Sequence, residues 1–434
     1  MTPRHAPPPG ILSRRLFLSL TASAASVAAL ASCASPGAAD GVTTLDFFQF
    51  KAEAVEDFAR IIRDFEAANP DIRVIANNVP DPDTAIRTLL VKDKVPDVLT
   101  LNGSGYYADL AKAGVFHDFT GDELVDRVNP AALGIIADLG SFNGEEINAL
   151  AFANNADGIL YNRTIFADNG LEVPTTWTEL IAVCDALVAA GITPFYGALL
   201  DNWTGAPAFN AIGGQLQPEG FFDDLRAEGA DLGPDSPVSF SKDYATTMER
   251  LGQIFSYTQD GAFGRGYDDG NQAFAAGEAA MYPQGIWAIN PVRTNNPDID
   301  LGVFPYPVLD DPARTRVTSG VDVALAIGRG TPKLEAARRF VDYLLTPGVV
   351  EPYVESQAAF SPLVDAAPNA DPTLAELQPY FEAGRLIGFV DHQIPASIPL
   401  NPTLQAFLAD GDADATLRTL DSEWRKVAAR TTRK

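Results

Sequence analysis

The sequence predicts an α/β fold built around a parallel sheet. Three observations carry that expectation. β-forming runs alternate with helix-periodic runs from Val42 onward. The 434-residue length suits two domains or one large two-lobed one. After the first 32 residues, no segment is long and apolar enough to cross a membrane.

Val42–Phe50 is rich in β-formers and reads as the first strand. Ala52–Ala68 sets Val55, Phe58, Ile61, Ile62 and Phe65 at helical spacing, and Asn69-Pro70 ends that helix. Ile72–Val79 is a second strand, Asp83–Lys92 a short helix and Asp97–Leu101 a third strand. Strand-helix-strand-helix-strand order implies right-handed crossovers. Ligands of such sheets bind beyond the carboxyl ends of the strands. Those ends are Gln49-Phe50-Lys51 and Asn102-Gly103-Ser104-Gly105-Tyr106. Thr176-Trp177-Thr178-Glu179 has capping-box spacing and opens a helix through Leu180, Val183, Cys184, Leu187 and Val188 that stops at Gly191. Val321–Ile327 is a near-continuous apolar strand. Thr331-Pro332 caps a helix with Leu334, Val341, Leu344 and Leu345 inward, stopped by Thr346-Pro347-Gly348. Ala413–Val427 reads as a terminal helix.

The formal net charge is −26, from 57 acidic and 31 basic residues. Residues 1–32 hold arginines and no acid, so the remainder is more acidic still. Such a chain repels phosphate backbones and anionic headgroups, which makes nucleic acid a poor partner. The three histidines, His5, His117 and His392, lie far apart, and no Cys/His cluster has metal-ligand spacing. No metal or cofactor is expected. Of the two cysteines, Cys184 lies on a core-facing stripe and reads as a small buried hydrophobe.

Cys33, the other, ends a leader. Ser13-Arg14-Arg15-Leu16-Phe17-Leu18 resembles a twin-arginine export signal, and an ordinary secretory signal remains the alternative. An apolar run from Leu16 to Ala31 follows, and Leu30-Ala31-Ser32-Cys33 resembles a bacterial lipobox. The expected organisation is a signal peptide over 1–32 and a lipidated tether over 33–42. Cys33 would be diacylated and would anchor the protein outside the cytoplasm, on the outer face of the cell membrane.

Four stretches in order carry a family resemblance. They are PDVLTLNGSGYYADLAKAGVFHDFT from Pro96, NNADGILYNRTIFADNGLEVPTTWTEL from Asn154, FAAGEAAMYPQGIW from Phe274, and SGVDVALAI followed by EAARRFVDYLLTP. With these the chain resembles the family 1 extracellular solute-binding proteins, the maltose-binding-like group. The resemblance implies a periplasmic-binding-protein-like fold. Each lobe would be a mostly parallel sheet flanked by helices, with the ligand cleft at a hinge of crossing strands. Crossings near Leu150–Ala156 and Thr318–Val323 would divide the chain into lobe 1 (43–152 and 320–352) and lobe 2 (153–319 and 353–434). It also implies a monomeric binding component that hands a sugar to the permease subunits of an ABC importer, and no enzyme.

A sugar site needs planar donors and acceptors plus aromatic faces. Trp287, two residues after Gly285, falls where the family often stacks an aromatic on a sugar ring; a core tryptophan is the alternative. Gln284 is its neighbour. Asn155, six residues before Tyr161, falls where relatives place a hinge carboxylate or amide, with Asp157 close by. It reads otherwise as a hinge cap. Asn202-Trp203 reads equally as a sugar platform and as a loop anchor. Asn102, Gly103, Ser104 and Tyr106 either meet ligand or form a tight strand-to-helix turn. Phe50 and Lys51 end the first strand. Gly320 and Asp322 lie in the late crossing, where Asp322 interrupts an apolar run and needs ligand hydroxyls or a basic partner. His392 sits in a Pro-rich loop. An extracytoplasmic hydrolase or a sugar sensor is the competing reading. A hydrolase needs two carboxyl groups about 5–10 Å apart, and no catalytic motif stands in a supporting context.

Overall fold

The computed structural model describes residues 41–431 apart from 52–53, 79–85, 87 and 90–93. The leader, Cys33 and nearly all of the tether lie outside the described residues, as does most of the helix expected over Asp83–Lys92.

Among the described residues, eight strands form one sheet: β1 (Thr43–Gln49), β2 (Ile72–Asn78), β3 (Val98–Leu101), β4 (Leu150–Asn162), β5 (Met281–Gly285), β6 (Leu301–Phe304), β7 (Val317–Ile327) and β8 (Leu386–Ile387). Their order is β2-β1-β3-β7-β4-β5, with β6 on β4 and β8 on β7. The first three are parallel, as the strand-helix alternation requires, with Thr43 opposite Ile72 and Phe47 opposite Val98. To these, β7 adds an antiparallel ladder against β3, and β4 pairs antiparallel with β7, β5 and β6. β7 is buried along its whole length and β4 nearly so, which explains their continuous runs of small and apolar residues.

Two main cores flank the crossing pair. The first gathers Phe47, Phe58, Phe65, Phe152 and Phe340 around β1–β3. The second gathers Ile159, Phe195, Phe209, Tyr244, Met281 and Trp424. A smaller cluster around Leu160, Phe274 and Tyr282 lies alongside the second. β4 contributes Leu150–Ala153 to the first core and Ile159 and Tyr161 to the second. β7 contributes Val321–Ile327 to the first core and Val317 to the smaller cluster. A third connection follows them. Asn154 and Phe360 exchange two backbone hydrogen bonds of 2.9 Å each. Tyr353 still belongs to the first core, with its ring 4.7 Å from Phe152 and 5.4 Å from Phe58. Val354, Ala359 and Leu363 also lie in the first core, while Ala358 and Phe360 lie in the smaller cluster.

The helices follow their sequence signals closely. Val55–Ala68 buries Phe58, Ile61, Ile62 and Phe65, while Val55, its first residue, is exposed. In Trp177–Ala189 the Thr176 hydroxyl accepts from Glu179 N at 3.2 Å and Glu179 Oε2 accepts from Thr176 N at 3.2 Å. This reciprocal cap satisfies two donors that the first helical turn leaves unpaired. Cys184 is buried in that helix, and loss of solvation pushes its thiol up to about 12. Helix Leu334–Leu344 turns Ala336, Ala337, Phe340, Val341 and Leu344 inward. Leu334, expected inward, is exposed, because it is the first residue of the helix and its stripe runs out there. Pro347 does more than stop that helix: it opens the next, Pro347–Ser356, from a position where its missing N–H costs nothing. The terminal helix extends over Ala413–Thr431, and Trp424 Nε1 ties it to Leu225 O at 3.0 Å.

Candidate ligand-binding cleft

Where β4 and β7 pass between the cores, Asn155, Asp157 and Asp322 face a cleft of about 890 Å³. The end of β1 delivers Phe50 and Lys51 to it, and the end of β3 delivers Asn102. The opposite side brings Trp203, Asn210, Tyr267 and Trp287. The later chain adds Gln357, Phe389, Asp391 and His392.

Electrostatics differ across the cleft. Lys51 and Asp322 form a buried ion pair. Asn155 Nδ2 lies 3.5 Å from Asp322 Oδ1, and Asn102 Nδ2 lies 3.4 Å from the Asp322 carbonyl. Gln49 Nε2 donates to Lys51 O at 2.6 Å and fixes the backbone beneath the lysine. The partner that Asp322 requires is thus a basic residue of the chain itself. Asp157 is only 1 % exposed, and neither carboxylate oxygen has a partner among the described residues. Burial pushes its carboxyl well above the usual range, and the Asp391 carboxylate adds to that shift. Asp391 Oδ1, Asn155 Oδ1 and Trp287 Nε1 are also buried without hydrogen-bond partners among the described residues, with His392 Nε2 3.9 Å from Asp391 Oδ1. His392 is pushed below the ordinary imidazole value by burial, with the Asp391 charge opposing.

Each orphaned polar group costs about 1–3 kcal/mol if it stays dry, so this arrangement calls for a ligand or water with matching groups. The aromatic faces stand beside those groups. Trp203 and Tyr267 pack at 4.9 Å with their planes 57° apart. The Trp287 indole lies over Gly285, where a Cβ would overlap the ring. Phe389 lies in the same way over Gly320. A ligand with several hydroxyls and flat apolar faces matches this lining.

Eight of the expected residues meet in the cleft: Phe50, Lys51, Asn102, Asn155, Asp157, Trp203, Trp287 and Asp322. Six do not line it. Gly320 is covered by Phe389. Gly103 donates its N–H to Val321 O at 2.8 Å and leaves no room for a Cβ, which makes it part of a turn. Ser104 occupies the cap position before helix Gly105–Lys112, and its carbonyl accepts from Ala108 N. Tyr106 is buried in the first core. Gln284 sits inside the sheet opposite Gly158, and Asn202 is exposed at the start of a 3-10 turn. Sequence reasoning passed over Asn210, Tyr267, Phe389 and Asp391. Only Asp391, next to His392, carried a local signal.

A polar, aromatic-lined cleft where two strands cross between two cores defines a solute-binding class of α/β protein. Residues 44–351 match the family model described as bacterial extracellular solute-binding protein, and the chain belongs to that family. A multiple sugar-binding protein of Streptococcus mutans is 29% identical over 318 residues, covering 72% of this chain and 73% of the relative. The apo structure of RafE from Streptococcus pneumoniae superposes with a TM-score of 0.77 at 26% identity, covering 90% of this chain and 99% of RafE. RafE in complex with raffinose gives a TM-score of 0.74 at 28% identity, covering 89% of this chain and all of that one.

Proposed function

We propose that this chain is the extracytoplasmic substrate-binding component of an ABC importer. It captures a neutral sugar or oligosaccharide in the cleft and delivers it to the permease. The observation that carries the reading is the set of unpaired buried groups, Asp157, Asp391, Asn155 and Trp287 Nε1, gathered beside the faces of Trp203 and Trp287. With Lys51 already paired to Asp322, the acidic groups Asp157 and Asp391 disfavour phosphorylated and uronic ligands. The relatives named for sugar binding, and the raffinose complex of RafE, support the same class. The proposed lobes are 43–152 with 320–352, and 153–319 with 353–434. They close by bending where β4, β7 and the segment around Phe360 cross. The cleft binds without turnover, so bound sugar is recovered unchanged.

The test is calorimetric titration of the soluble domain with galactose, sucrose, raffinose, stachyose, maltotriose and glucuronate. Saturable binding of a neutral sugar with a raised melting temperature is expected. Binding of glucuronate alone, or hydrolysis products from a clean preparation, would overturn the reading. The anchor is tested separately. Cys33 carries two acyl chains, and Cys33→Ala releases the protein from membranes; an unmodified Cys33 in the intact mass of the membrane-extracted protein rejects it.

A further inference from the structure

β4 presents two neighbouring asparagines to two different spaces. Asn155 lines the cleft, while Asn154 lines a second cavity of about 440 Å³. Asn154 is 2 % exposed, and its Oδ1 has no partner among the described residues. A second carbonyl joins it. Gln378 donates Nε2 to Glu382 Oε1 at 3.2 Å, which leaves Gln378 Oε1 unpartnered. Glu351, Glu355, Asp365 and Glu382 line the same cavity, and among the described residues no Lys, Arg or His lines it. The stacked rings of Phe360 and Phe381, 3.7 Å apart with a 14° tilt, also line it.

We propose that this cavity binds a compact organic cation carrying N–H donors, an alkylammonium or guanidinium compound. Its unmet groups are acceptors, so the ligand must supply donors. Four carboxylates repel anions and draw cations in, and an aromatic face attracts an ammonium. A bare metal ion fits less well, because no group of three or more His, Cys, Asp or Glu side chains converges to hold one among the described residues. The buried Asn154 carbonyl separates this site from a merely acidic surface. The cavity draws lining from both sides of the crossing. Ala132 and Leu363 belong to the first core, and Phe360 to the cluster beside the second. A cation bound there therefore acts on the equilibrium between lobe angles, and its effect on cleft affinity is reciprocal.

Putrescine is the probe, titrated calorimetrically into the soluble domain at constant ionic strength, with sodium chloride as the charge control. One saturable equivalent is expected, weakened at least about tenfold by Asn154→Leu and by the paired substitution Asp365→Asn with Glu382→Gln. The paired substitution is exposed and keeps the test decisive if Asn154→Leu fails to fold. Three results would each overturn the proposal. One is a response no larger than that of sodium at equal charge. Another is an affinity unchanged in both variants. The third is loss of putrescine binding on Asp157→Asn equal to that on Asn154→Leu, which would place the cation in the front cleft.

Discussion

Asp322 on β7 and Asp157 on β4 are both acids set into buried, nearly apolar strands, yet they end in opposite electrostatic states. Asp322 meets Lys51, which arrives from a strand 271 residues away in sequence, and the side chain of Asn155. Asp157 meets no cation and faces a second carboxylate, Asp391. The charges of one wall are therefore paired before ligand arrives, although Asn155 Oδ1 there is not. The other keeps unpaired acceptors, and the two acids should answer differently to every perturbation.

The largest expected effect is on the charge-paired wall. Lys51→Met leaves Asp322 buried without its cation. Removing one partner of a buried pair costs about 3–5 kcal/mol, and the open cleft beside this pair puts it near the lower end. Chemical denaturation of the ligand-free protein should show that loss. A change below about 1 kcal/mol would place both walls on an equal footing.

Asp157→Ala is the converse. The ligand-free protein should be as stable as wild type or more so, because the substitution removes a desolvated carboxyl with no partner. Sugar affinity should fall by about 1–3 kcal/mol, the cost of leaving buried ligand hydroxyls unpaired, or roughly 5- to 150-fold. Lower apo stability with unchanged affinity would reverse the roles of the two acids.

Trp287 stands between these extremes, with its ring packed on Gly285 and its N–H unpaired. Trp287→Ala should weaken binding about tenfold through lost area and stacking. If stability alone drops, by the roughly 3–5 kcal/mol of a core tryptophan, the residue is packing and the aromatic wall rests on Trp203 and Tyr267.

The smallest effect is on pH dependence. The Asp157 carboxyl is raised, so the folded state holds its proton more tightly than the unfolded chain. Its contribution to stability is full below the ordinary carboxylate pKa and is lost as pH rises through the raised value. Melting temperature of the ligand-free protein, compared with Asp157→Asn from about pH 4 upward, should show wild type losing ground as pH rises. Parallel curves would remove Asp157 from the proton balance.

Much of the architecture was legible because its signals are local. Phe58, Ile61, Ile62 and Phe65 repeat at helical spacing, and Thr176 and Glu179 form a cap within one turn. The first three strands read as parallel because the runs between them are helical crossovers, and their order came only from the structure. The lining of the candidate cleft was legible where a residue ends a strand or interrupts one, as Phe50, Lys51, Asn102, Asp157 and Asp322 do. It was illegible at Phe389, Asp391, Tyr267 and Asn210, which lie on loops and helices whose own neighbours give no hint of the cleft. Tyr106 misled for the same reason: next to a strand end, its side chain turns into the first core.

Composition and period alone determined the α/β class, the acidic charge and the helix ends, because hydrophobic burial and backbone capping act over a few residues, while the crossing strands were expected only from the family resemblance. Tertiary structure alone decided which acid is neutralised, which aromatic rings share a wall, and that Asn154 and Asn155 open onto different spaces. Coulombic pairing and desolvation depend on distances of a few ångströms between residues far apart in the chain, and those distances exist only once the strands have crossed.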